Sequence, residues 1–69
     1  MEKISKACLL IFDELVNDEQ SQDLIEKIDG ATSDGEIKEG IRLGVKRLKE
    51  LGKTTLAEQI ENDTKGFAF

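Results

Sequence analysis

Between Ile37 and Leu51 the residues Ile37, Ile41, Val45, Leu48 and Leu51 recur at spacings of four and three, the period that gathers side chains onto one face of an α-helix. That spacing decides most of what the chain can fold into. Three further stretches share the period, and none shows the sustained alternation of apolar and polar residues that marks a half-buried strand. The chain reads as all-α: a small compact bundle of three to four helices over about 2–17, 19–29, 34–51 and 55–64.

In the first stretch Ile4, Ala7, Cys8, Ile11, Phe12, Leu15 and Val16 fall on one broad arc, which Leu9 widens further. A surface helix needs an apolar stripe of little more than about 100°, so this helix is expected to pack against two neighbours, within the chain or across a dimer. The second stretch has only Leu24, Ile25 and Ile28 to bury, with Asn17 or Asp18 as its cap and Gly30 in the left-handed position that commonly follows a helix. Ser33-Asp34-Gly35-Glu36 matches the capping box that opens the third helix. Gly52 closes that helix, and Thr55-Leu56-Ala57-Glu58 is a second capping box that would restart the chain with Leu56, Ala57, Ile60 and Phe67 facing the core. The tail, Lys65 to Phe69, either folds back on the core or forms an exposed docking end.

A length of 69 residues allows one small domain, residues 1–69. Ten basic against fifteen acidic side chains leave a net charge of -5, which disfavours a surface that tracks nucleic-acid phosphates throughout. The lone Cys8 cannot form an internal disulfide, and no charged leader precedes an apolar core and cleavage site, so we expect a cytoplasmic protein. Ala7 to Phe12, the longest unbroken apolar run, falls far short of the roughly 20 residues that span a bilayer. No membrane partner is expected.

With no histidine and one cysteine, the chain lacks the usual nucleophile and base pairings and the imidazole and thiolate sets that zinc prefers. We expect neither an enzyme nor a cofactor or metal site. Cys8, inside the apolar arc, reads as a buried structural thiol.

The linker Asp29-Gly30-Ala31-Thr32-Ser33-Asp34-Gly35-Glu36-Ile37 looks like the second half of a calcium-binding loop, but neither register fits. With Gly35 as the loop glycine, Gly30 and Ile41 fall where the first and last carboxylates belong; a start at Asp29 loses the glycine and puts Gly40 last. The same linker resembles the Asp-Gly-x-x-Ser-x-x-Glu turn between helices of the tellurite-resistance TerB-like helical domains. That likeness covers nine residues and brings no function with it. A helix stop followed by a capped restart accounts for the segment.

Lys38, Arg42, Lys46, Lys49 and Lys53 form one basic edge along the third helix. Such an edge answers carboxylates nearby, meets an acidic partner protein, or meets a nucleic-acid backbone. The last reading is disfavoured by Asp34, Gly35, Glu36 and Glu39 where base-reading side chains would stand. Gly40 and Gly44, within the same helix, each cost about 1 kcal/mol relative to alanine. They suggest close approach of another helix, either the first one or the same helix of a second subunit. Leu10 and Leu43 lie off the main apolar arcs and, with Phe67 and Phe69, form an apolar surplus available to a partner. The expected function is that of a small acidic regulator, inhibitor, immunity factor or complex subunit that binds another protein, with a homodimer possible. The alternative is a dimeric nucleic-acid-associated regulator using the basic edge.

Overall fold

The residues spaced by four and three form a helix, Asp34–Glu50, and the computed structural model, which describes residues 2–69, places it as the element on which the others pack. Numbered in chain order, α1 is Glu2–Leu15, α2 is Gln22–Asp29, α3 is Asp34–Glu50 and α4 is Thr54–Asp63. A 3-10 turn, Glu19–Ser21, leads into α2. The described residues contain no strand, and the fold is a compact all-helical bundle. Its radius of gyration, 10.6 Å, matches the roughly 11 Å expected of a folded chain of this length.

One hydrophobic cluster joins all four helices: Ala7, Ile11 and Leu15 from α1, Leu24 and Ile28 from α2, Ile41, Val45 and Leu48 from α3, and Ala57 and Ile60 from α4. Gly40 and Gly44 are what let α3 sit so close to its neighbours. A methyl group on Gly40 would stand 2.2 Å from Cγ1 of Ile28, and one on Gly44 would stand 2.8 Å from Cδ1 of Ile11. The glycine edge is therefore filled by α2 and α1 of the same chain, which leaves it no room to receive α3 of a second subunit.

The helix ends depart from the sequence reading in several places, beginning with the second helix, expected from residue 19, whose first turn is 3-10 and which is α-helical only from Gln22. α1 stops at Leu15, where the Asp18 N–H reaches the Leu15 carbonyl at 3.0 Å, so Val16 and Asn17 lie in a turn. Gly30 ends α2 with φ -93° and ψ 9°, a right-handed conformation open to any residue; the chain changes direction at Ser33, whose backbone is extended. α3 closes one residue early, and Leu51, expected on the core face, occupies its C-cap and is 40% exposed. Finally, α4 starts at Thr54 with Lys53 as its N-cap and no side-chain cap, so Thr55 lies inside the helix and caps nothing.

Gly52 explains this last start. Its φ of +80° is the left-handed value that glycine adopts without a Cβ penalty. The Lys53 N–H then reaches the Leu48 carbonyl at 2.8 Å, and the Gly52 N–H reaches Lys49 at 3.0 Å, the paired bonds that close a helix in a Schellman motif. Ser33 caps α3 as its sequence suggests: its Oγ accepts from the Glu36 N–H at 3.4 Å. The returning carboxylate of Glu36 accepts from the Thr32 hydroxyl at 3.0 Å and the Thr32 N–H at 3.3 Å. These donors hold the Glu36 carboxyl below its ordinary pKa, the Thr32 hydroxyl most strongly.

Candidate protein-docking face

Helix α1 carries more apolar surface than the chain can bury. Its inner face, Ala7, Ile11 and Leu15, is closed off in the core, while Leu9 remains 60% exposed and Val16, just past the helix end, 59%. Phe12 lies between these two along the chain and is half-buried. Leu9 and Phe12, three residues apart in α1, share its outer side, and Val16 continues that apolar surface in the turn just past the helix end. The broad arc read from the sequence is thus two faces, of which only the inner is covered by the protein itself.

Beside the outer stripe runs a groove of about 400 Å³ lined by Ile4, Ser5, Cys8, Leu9 and Phe12 of α1, Ile28 and Asp29 of α2, and Ile37 of α3. Cys8 is half-buried there, and burial raises its thiol pKa. The thiol therefore stays protonated and contributes as a small apolar group. No group of three or more carboxylates and thiols comes together among the described residues to hold a metal ion. Nor is any helix there long and apolar enough to cross a membrane.

The residues singled out in the sequence disperse. Leu10 packs half-buried against the core, so it is not surplus surface; its arc lies toward neighbours that the helix pattern alone does not show. Leu43 is exposed, at 37%, as its place off the apolar arc implies, and lines a depression with Gln20, Asp23 and Lys46. Phe69 is 45% exposed beside α4, whereas Phe67 is half-buried with the Lys38 ammonium 5.2 Å from its ring centre. Between the two rings Ala68 is fully buried. The tail is docked.

Most of the basic edge is turned to the protein's own groups. Lys38 lies over Phe67, Arg42 donates from Nε to the Ala68 carbonyl at 2.5 Å, Lys49 pairs with Glu61 at 3.2 Å, and Lys53 pairs with Glu14 at 3.1 Å. Of the five, Lys46 alone makes no ion pair, hydrogen bond or aromatic contact of this kind among the described residues. The edge thus fastens α3 to the tail, α4 and α1.

Two features went unnoticed in the sequence. One is the Leu9, Phe12 and Val16 stripe, whose signal was present in the width of the arc. The other is the pairing of Arg47 with Asp18, for which the sequence holds no local signal, because the partners lie on different elements. No protein-family profile matches the chain, and no curated protein or solved structure matches it either.

Proposed function

We propose that the protein acts by binding protein, as a small acidic regulator or complex subunit, through the outer face of α1. The observation that carries this reading is the exposure of Leu9 and Val16, at 60% and 59%, on an element whose inner face is already filled. Exposed apolar side chains that adjoin an apolar groove make a contiguous patch, and it is contiguity, not single exposed residues, that marks an interaction surface. The absence of histidine from the chain and the protonated state of the Cys8 thiol both favour binding over acid–base or nucleophilic catalysis.

The test is affinity capture from a lysate of the native host, with wild-type protein and the Leu9→Asp/Val16→Asp variant as parallel baits. A partner retained by the wild type and lost with the variant is the expected result. Identical sets of proteins on both baits would overturn the assignment of this face.

A further inference from the structure

We infer that the occupant of the outer α1 face is a second copy of this chain, docked antiparallel. The inference rests on the docking role proposed for this face and adds who covers it. Within α1, Ser5, Leu9 and Phe12 are separated by four and three residues, which is the alternation that two helices need to interlock along a seam, and the exposed Val16 follows just past the helix end. On one flank of that seam lie Lys6 and Asp13, seven residues apart, both exposed and neither in an ion pair among the described residues.

Two such helices running in opposite directions about an axis between Leu9 and Phe12 place Leu9 of each copy against Phe12 of the other. In that register the flanks also meet, and Lys6 of each copy lies opposite Asp13 of the other. Each unlike pair occurs twice, because a two-fold interface repeats every contact. A parallel pairing instead sets the flank of Lys6 and Asp13 against the flank of Cys8 and forms no ion pair. The face is therefore complementary to itself in one orientation only. A net charge of -5 on each copy opposes association, but exposed charges more than about 8 Å apart are largely screened at physiological salt. A chain this short also buries a smaller fraction of its surface than a larger domain does, which leaves association more to contribute.

Sedimentation equilibrium across micromolar to near-millimolar concentration tests the inference with wild type, Lys6→Glu, Asp13→Lys and an equimolar mixture of the two variants. The wild type is expected to dimerise, and each variant, which replaces both unlike pairs with like ones, to self-associate roughly tenfold or more weakly. The mixture is expected to regain dimers, because the acid introduced at position 6 of one chain meets the base introduced at position 13 of the other. Both positions are exposed, and an unchanged helical signal, with melting equal to wild type at concentrations too dilute for dimers, confirms that the variants fold. A wild type that stays monomeric overturns the second copy as occupant, while the parallel-bait capture still decides separately whether the face binds another protein. A dimer indifferent to both substitutions, or a mixture no stronger than its components, overturns the antiparallel register.

Discussion

Arg47 on α3 holds Asp18 in a two-pronged grip: its Nε donates to Oδ2 at 2.7 Å and its Nη2 to Oδ1 at 3.0 Å, with both side chains 19% exposed. The Ser21 hydroxyl, itself buried, donates to the same Oδ2. This arrangement ties the turn between α1 and α2 to the middle of the bundle. It also explains why Asp18, placed where a cap for the 3-10 turn belongs, caps nothing: its side chain is engaged elsewhere.

The grip sets a pH dependence. The Arg47 hydrogen bond, followed by that from Ser21, lowers the Asp18 pKa from 3.8 to about 2. A carboxyl whose folded pKa is depressed contributes stability that is fully present above its unfolded value and is lost as pH falls through its folded value. Asp18 therefore leaves the thermal midpoint unaffected between neutral pH and about 5 and lowers it progressively from about 4 toward 2. Asp18→Asn should melt below wild type at neutral pH and show a shallower fall across the acid window. Parallel melts at stepped pH decide it; two curves of the same shape would mean the carboxylate is not held by Arg47.

The two serine and threonine caps read from the sequence should now separate. Ser33→Ala removes a hydroxyl that accepts from the Glu36 N–H and donates to the Glu36 carboxylate, and should destabilise by about 1 kcal/mol. Thr55→Ala removes a side chain that makes no cap, and should change stability by no more than about 0.5 kcal/mol. Denaturant titration of the two variants side by side checks the contrast. Equal losses would place the start of α4 at Thr55 after all.

How much of the fold was legible follows from which contacts are local. The helices were readable because the residues that specify them, such as Ile41, Val45 and Leu48, repeat within one turn of each other. The Ser33 cap was readable for the same reason. Thr55 misled because Gly52 and Lys53 close α3 through the carbonyls of Lys49 and Leu48, and that closure makes Lys53 the N-cap of α4, two residues before the cap that the motif implies. The basic edge was visible as a pattern but not as a set of partners. Glu14, Glu61, Phe67 and the Ala68 carbonyl meet it only once the helices are packed. The docking face was legible in the excess of apolar residues on α1; which of them would be left in water was not, since it depends on where α2, α3 and α4 lie.

Gly40 offers a test of the packing itself. Alanine is favoured over glycine inside a helix by about 1 kcal/mol, yet the added methyl group would meet Ile28 Cγ1 at 2.2 Å. Cγ1 sits near the root of the side chain and cannot swing clear as a chain end can, so overpacking of about 1–3 kcal/mol should make Gly40→Ala destabilising. With Ile28→Ala in the background the obstruction is gone, and Gly40→Ala should then stabilise by up to about 1 kcal/mol. A double-mutant cycle measures this reversal of sign. The same loss in both backgrounds would mean that Ile28 is not what the glycine makes room for.

The tail is part of the core. Ala68 is 0% exposed, and the segment is held from both sides: Thr64 accepts the Phe67 and Ala68 N–H groups on its carbonyl at 3.0 Å, and Arg42 Nε donates to the Ala68 carbonyl. Gly66 makes the approach possible with φ +93°, since a left-handed turn there costs glycine nothing. Ala68→Asp would put a carboxylate where a fully buried methyl group stands, and should destabilise by roughly 3–5 kcal/mol, enough to unfold a chain this small. Arg42→Ala removes one hydrogen bond at an exposed side chain, and the Ala68 carbonyl can turn to water instead; its cost should be about 1 kcal/mol. Thermal melts of both variants, with helical signal recorded before heating, give the comparison. If Ala68→Asp melts within a degree or two of wild type, the tail is not part of the core.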